Sequence, residues 1–304
     1  MDYVLQTQGL TKRYRRGKAL DGLTMAVPKG AIYGLVGKNG AGKTTLLRLI
    51  CGLQEPSSGS YSLYGVSNDR KELLKVRRRM GAVVETPSIY LNMSAGENLE
   101  QQALILGLPD VNGLGELLEL VGLENAGPKK AGHFSLGMRQ RLGLAVALVG
   151  DPDFLVLDEP TNGLDPQGIV DLRELILKLN RERRVSFLVS SHILGELSRT
   201  ATHYGIIDRG RMVKELSARE LEQSCRKRLV LQVTDTAALA RTLDGLHLEY
   251  KILSDSEAEL FAKPNVTRLA AALAEAGCEI LDLREKDENL ESYFLSLVGG
   301  GQHG

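Results

Sequence analysis

Gly37-Lys38-Asn39-Gly40-Ala41-Gly42-Lys43-Thr44 has the spacing G-x-x-x-x-G-K-[ST]. Glycines at 37, 40 and 42 allow successive backbone N–H groups to turn inward around a phosphate, and a helix starting at the loop's end adds its positive pole. Lys43 is placed to reach β- and γ-phosphates, and the Thr44 hydroxyl to ligate Mg²⁺, with Asn39 and Thr45 completing the loop. Such a loop needs a carboxylate partner, and Phe154-Leu155-Val156-Leu157-Asp158-Glu159 supplies two at the end of an apolar run. Asp158 can hold Mg²⁺ through water. Glu159, one residue on, can polarise an attacking water as general base. Together these residues specify nucleotide phosphate chemistry and no more.

The elements that position them are those of an α/β protein. Val4–Leu10, Leu20–Val27 and Ala31–Val36 read as strands, the last entering the phosphate loop, with an apolar helix over Thr45–Cys51 leaving it. Phe154–Leu157 and Val185–Val189 are short, continuously apolar runs, the pattern of parallel strands buried on both faces. Helical spacing over Gly168–Leu179 joins them as a βαβ unit. Leu73–Val149 reads as mostly helical, broken at Pro87, Pro109 and Pro128, and Tyr204–Asp208 with Arg211–Lys214 as a hairpin around Arg209-Gly210.

A polar, charged stretch over 217–228 marks a helical linker, which divides the chain into 1–216 and 217–304. Beyond it the expected order is strand 229–233, helix 237–243, strands 248–253 and 258–263, helix 266–276 and strand 279–284. That is the split-βαβ, ferredoxin-like arrangement of a small α+β domain. Leu290, Tyr293, Phe294, Leu297 and Val298 then form one apolar helical stripe, and the Gly-rich tail from Gly299 is expected to be disordered.

Composition removes several classes. Lys+Arg and Asp+Glu balance at 38 each, which argues against a chain built to coat nucleic acid. Three scattered cysteines without a CxxC pair argue against a disulfide framework or zinc site and suit a reducing compartment. The start carries no basic-then-apolar leader pattern, and no run of about 18 apolar residues suggests a spanning helix. The arginine runs at 77–79 and 181–184 are expected to be solvated helix ends, and Cys51 to lie in the core.

Phe134-Ser135-Leu136-Gly137-Met138-Arg139-Gln140-Arg141, just upstream of Asp158, adds a third motif, with Asn162-Gly163-Leu164-Asp165 and Ser190-Ser191-His192 following. With this ordered set, Tyr3 to Glu215 resembles the ATP-binding subunits of ABC transporters. The resemblance implies a P-loop cassette of parallel-sheet core, antiparallel β subdomain and helical subdomain, with ATP and Mg²⁺ as its ligands. It implies that Tyr14 stacks on adenine, that His192 is the switch histidine at the γ-phosphate, and that Asp165 lies on the loop communicating between two sites. Ser135 and Gly137 would bind the γ-phosphate of ATP held by another subunit, helped by the helix they open. One chain is then half of an active site. A second copy or a homologue must close on it head to tail. A separate membrane permease would be the other partner, holding this chain at the cytoplasmic face of a bacterial membrane.

Two departures from the family pattern carry information. Leu136 and Met138 replace a glycine and a glutamine in the signature. Glu85, in Gly81-Ala82-Val83-Val84-Glu85-Thr86-Pro87, stands where the family places a glutamine that contacts Mg²⁺. A carboxylate there can ligate Mg²⁺ or hold water, but adds negative charge beside the γ-phosphate. This version resembles the exporters of bacitracin and lantibiotics, which implies peptide-antibiotic resistance or immunity; export of drugs, lipids or ions is the alternative. A soluble ABC ATPase acting on ribosomes or nucleic acid fits less well. Only one cassette is present, and too few residues separate Gly37 from Ser135 for a long coiled coil. The C-terminal domain shows nothing catalytic and reads as a dimer-stabilising or ligand-sensing module. Cargo, direction of transport and identity of the second cassette stay open.

Overall fold

A computed structural model describes residues 2–108, 112–225, 228–261, 265–286 and 290–299. The chain divides into two compact units, Met1–Ala218 and Arg219–Gly304. The first begins with β1 (Tyr3–Tyr14), β2 (Gly17–Pro28), β3 (Ile32–Val36), α1 (Lys43–Ile50), β4 (Ser58–Leu63) and β5 (Val66–Ser67). It continues through α2 (Leu73–Arg77), β6 (Met80–Val83), α3 (Ala95–Leu106), α4 (Leu114–Leu120) and α5 (Leu136–Leu148). It closes with β7 (Phe154–Asp158), α6 (Pro166–Arg183), β8 (Ser186–Ser191), α7 (Leu194–Leu197), β9 (His203–Asp208) and β10 (Arg211–Ser217).

Two sheets organise this unit. One has the order β10-β9-β3-β8-β7-β6, parallel throughout except for the antiparallel edge β9–β10. Every residue of β3, β7 and β8 is buried, as expected for strands covered on both faces. Their register sets Val36 opposite Ser191 and Asp158 opposite Ser190, so the three carboxyl ends lie side by side. Ligand sites of parallel sheets form at such ends. The second sheet, β2-β1-β4-β5, is antiparallel, and its apolar face shares a core with α1 through residues such as Leu5, Leu23, Leu46 and Ile50.

α3, α4 and α5 pack on one another as a helical layer. Ser94 and Glu97 form a reciprocal capping box at the start of α3, and the backbone N–H of Ser94 holds the Glu97 carboxyl below its usual range.

Part of the 73–149 segment departs from the helical reading. Met80–Val83 is a strand, β6, at the edge of the parallel sheet beside β7. Its four residues are too few to show a period, and its burial alternates because only one neighbour pairs with it. β4 and β5 are likewise strands without an apolar run; the serines of Ser58-Gly59-Ser60 hide the first.

The arginine run at 77–79 is not simply a solvated helix end. The Arg77 guanidinium donates to the Tyr61 hydroxyl and covers Gly52. Arg79 pairs with Asp153 and lies 3.9 Å over the Tyr64 ring, whose hydroxyl also donates to Asp153. Burial, then that hydrogen bond, pushes the Tyr64 hydroxyl well above its usual range. Residues 181–184 are exposed at the end of α6, as expected. Cys51 packs against the core, and burial pushes its thiol up to about 12.

The second unit comprises α8 (Ala218–Ser224), which starts at the boundary, then β11 (Arg228–Val233), α9 (Thr236–Gly245), β12 (Tyr250–Ser254) and β13 (Glu257–Leu260). α10 (Val266–Glu275), β14 (Ile280–Lys286) and α11 (Leu290–Gly299) complete it. Its strands pair antiparallel in the order β12-β13-β11-β14, the split-βαβ order. Leu231, Leu239, Leu243, Leu260, Leu269 and Leu273 form its own core. Asp235 and Asn265 cap α9 and α10 with side-chain oxygens. Tyr293 and Phe294 of the apolar stripe are buried, while the break expected at Pro109 and the tail 300–304 lie outside the described residues.

β6 is seated on α5 at a point that only glycine allows. A Cβ on Gly81 would lie 2.2 Å from the Ala147 carbonyl oxygen and 2.7 Å from Leu155 Cδ2. Because a backbone atom cannot swing aside, Gly81→Ala is expected to destabilise the protein by about 1–3 kcal/mol. Urea unfolding of the two proteins measures this, and an unchanged midpoint would contradict the packing.

Candidate active site

The phosphate loop leaves β3 and turns through left-handed glycines, Gly40 at φ 81° and Gly42 at φ 112°. Its back is closed by backbone. A Cβ on Gly42 would fall 2.6 Å from the Ala19 carbonyl oxygen, and one on Gly37 would fall 2.6 Å from that of Ile207. The β9–β10 turn fixes this seat. Gly210 N–H donates to Ala41 O at 2.8 Å and Asp21 N–H to Gly210 O at 2.9 Å. Arg211 and Lys18 brace the turn through Asp21, whose carboxyl both hold below its usual range.

Lys43, the first residue of α1, is 5% exposed. Its ammonium donates to the Gly37 carbonyl at 2.6 Å and the Lys38 carbonyl at 3.3 Å, and lies 3.1 Å from Glu159 Oε1. Glu159 follows the last residue of β7 at φ 47°, in the left-handed region that non-glycine residues enter at a cost. Its other oxygen lies 2.7 Å from His192 Nδ1, just beyond β8. Ser190 Oγ joins the two acids, accepting from Glu159 N–H at 2.9 Å and donating to Asp158 Oδ1 at 2.6 Å. Lys43, Asp158, Glu159 and His192 thus form one cluster at three adjacent strand ends. Thr44 and Thr45 follow Lys43 on α1.

Other candidate residues stand elsewhere. Ser135 is the N-cap of α5, and its Oγ accepts from Met138 N–H at 3.2 Å, which leaves the hydroxyl proton to donate. Asp165 caps α6 by accepting from Gly168 N–H at 2.9 Å, with Pro166 opening the helix. These two caps are neighbours. Leu136 Cδ2 covers Gly163, and Leu164 Cδ2 faces Gly137. Tyr14 lies at the tip of the β1–β2 hairpin, 41% exposed, with its hydroxyl donating to Gln54 and Lys12 over its ring at 5.6 Å. Glu85, at φ 64°, pairs with Arg48, one helical turn beyond Thr44 on α1.

The sequence profile described as ABC transporter matches residues 20–162. The bacitracin transport ATP-binding protein of Bacillus licheniformis is 40% identical over the whole of both chains. The lantibiotic transport ATP-binding protein of Streptococcus pyogenes is 41% identical over 70% of this chain and 90% of its own. Among solved structures, a dimeric ATP-binding cassette in a post-hydrolysis state with ADP and phosphate superposes with a TM-score of 0.65. It is 26% identical over 71% of this chain and 99% of that one. The chain belongs to the ABC transporter ATP-binding subunits. It is an ABC ATPase, a cassette that binds ATP and couples its hydrolysis to transport.

Three parts of the ABC site were not singled out from sequence. Ser190 appeared within the Ser190-Ser191-His192 motif, but its bridging role depends on β7 lying beside β8. A serine directly following the run Val185–Val189 was the available signal. Arg48, four residues after Thr44 on one helix face, was the available signal for a partner to Glu85. Gly210 read only as a hairpin turn; its contact with the phosphate loop arises from long-range packing that no local pattern reveals.

Ser190→Ala removes the donor to a buried carboxylate and the acceptor of the Glu159 N–H. An unpaired buried group of this kind costs about 1–3 kcal/mol. The variant is expected to melt earlier and to hydrolyse ATP more slowly, whereas Ser190→Thr keeps the hydroxyl and should retain most of both. Thermal unfolding and phosphate release measure this; equal behaviour of Ala and Thr variants would refute the bridge.

Proposed function

We propose that this ABC subunit powers a separate integral membrane permease that exports or clears a peptide antibiotic, giving resistance or self-immunity. The observation that carries the cargo class is the full-length likeness to a bacitracin transport subunit, which extends through residues 217–304, together with Glu85. The lantibiotic relative aligns over 70% of this chain. Among the described residues no helix is long and apolar enough to cross a membrane, so the membrane-spanning path belongs to the partner in this reading.

The chemistry follows from the cluster. Entering β- and γ-phosphates compete for the Lys43 ammonium that Gly37, Lys38 and Glu159 now share. Glu159, relieved of Lys43, takes a proton from the attacking water while His192 holds its second oxygen. Among the described residues no group of three or more His, Cys, Asp or Glu side chains could hold a metal. Mg²⁺ needs only one or two protein oxygens beside phosphate, and the Thr44 hydroxyl and buried Asp158 carboxylate are of that hard type. When bound, Mg²⁺ neutralises charge developing on the phosphates. Glu85 can join it only by leaving Arg48. Tyr14 supplies an aromatic face for adenine. Ser135 and Gly137 serve the nucleotide of the opposite cassette, a copy of this chain or a homologue, in a head-to-tail dimer with Asp165 near the seam.

Deleting the gene in its host is expected to raise sensitivity to bacitracin-type peptides, and the wild-type gene to restore resistance. Glu159→Gln should fail to restore it, and the purified variant should bind ATP, form a stable dimer and release no phosphate. Unchanged sensitivity on deletion would overturn the cargo assignment; undiminished hydrolysis in Glu159→Gln would overturn the base.

A further inference from the structure

Glu196 has no part in the roles given above. It lies in α7, the single helical turn after His192, and its Oε2 accepts from Thr161 Oγ1 at 2.7 Å. The same oxygen lies 3.3 Å from Ser191 Oγ, whose one proton it shares with the Ile193 carbonyl, also at 3.3 Å. Ser191 Oγ also accepts from Ile193 N–H at 3.0 Å. Thr161 is two residues past Glu159 on the loop leaving β7, and Ser191 immediately precedes His192 at the end of β8. One carboxylate oxygen therefore reaches the loop of the base and the loop of its histidine.

Pro160, Thr161 and Ser191 border a pocket of about 370 Å³ whose floor is apolar, formed by Ile169, Leu172 and Ile176. Glu159 meanwhile sits at φ 47°, a conformation that persists only where its surroundings over-determine it. The hydrogen bonds from Ser190 and through Glu196 contribute to that determination.

We propose that Glu196 is a positioning residue that clasps the β7 and β8 loops and so sets the Glu159–His192 geometry. Thr161 opens the segment that continues through Asn162 to Asp165. The clasp therefore passes displacement of that segment, by a second cassette, to the base. This role rests on the ATPase reading above, and its test separates the two.

Glu196→Ala is expected to lower kcat about ten- to a hundredfold, the effect of slight misplacement of reacting groups, while the KM for ATP stays at the wild-type value. Glu196→Gln keeps an acceptor oxygen and should recover most of the rate. Thr161→Val should lower kcat alone but add nothing in the Glu196→Ala background, because both remove the same contact. Hydrogen exchange of the ATP-free protein gives a readout independent of turnover. Amides in 161–165 and 192–196 should exchange faster in Glu196→Ala, and elsewhere at the wild-type rate. A wild-type kcat in Glu196→Ala, additive loss in the double variant, or unchanged exchange in both segments would overturn the clasp. Should Glu196→Ala fail to fold, Thr161→Val and Glu196→Gln carry the test: loss in the first with recovery in the second supports the clasp, and any other pairing refutes it. If the wild-type protein hydrolyses no ATP, the ATPase reading fails alone, and the exchange comparison still decides the clasp.

Discussion

An ammonium and two carboxylates gathered at one end of an apolar sheet are the constraint on which this molecule depends. Desolvating such charges singly would cost several kcal/mol each, so each must meet a partner where it emerges. Lys43, 5% exposed, finds the Gly37 and Lys38 carbonyls and Glu159. Asp158, 4% exposed, finds Ser190. These partners exist only because β3, β8 and β7 are parallel neighbours whose registers set Val36 opposite Ser191 and Asp158 opposite Ser190. The fully buried strands are thus the frame of the charge cluster as much as a core. The glycine loop, pressed on the Ala19 and Ile207 carbonyls, completes it.

The same cluster is poised for exchange of partners. Lys43 holds Glu159 with an ion contact, and a phosphate offers the ammonium a stronger, doubly charged partner. In the proposed reaction, nucleotide binding and release of Glu159 from Lys43 are then one event. The pieces that a facing cassette would use lie apart from this cluster, yet they are joined to each other. Leu136 of the signature covers Gly163 of the Asp165 loop, so the residues proposed to meet a second subunit lie together. Leucine in place of the family's glycine adds an apolar contact there.

Sequence revealed whatever is contiguous. The phosphate loop, the Asp158-Glu159 pair and the fully apolar strands are local patterns, and the structure sets them where the βαβ reading requires. The small second domain was legible because short apolar strand runs and helical segments recur in order from Leu229 to Arg284. What escaped depends on partners distant in the chain. Met80–Val83 is a strand only because β7 lies beside it, and its helical reading followed from the apolar helices around it. Arg77 and Arg79 read as solvated because Tyr61, Tyr64 and Asp153 are remote in sequence. Glu85 was noticed as a departure, but its ion pair with Arg48 required both the α1 face and the 80–85 segment to be placed. The additional carboxylate is thereby balanced by a guanidinium one turn beyond Thr44.

Conversion of ATP hydrolysis into work on a membrane permease requires that the permease be held by this subunit. Affinity purification from gently solubilised native membranes, with mass spectrometry of what accompanies the chain, tests it most directly. The account predicts a polytopic permease in stoichiometric amount, recovered together with a second cassette. Recovery of ribosomal proteins, or of no membrane protein in repeated preparations, would contradict it.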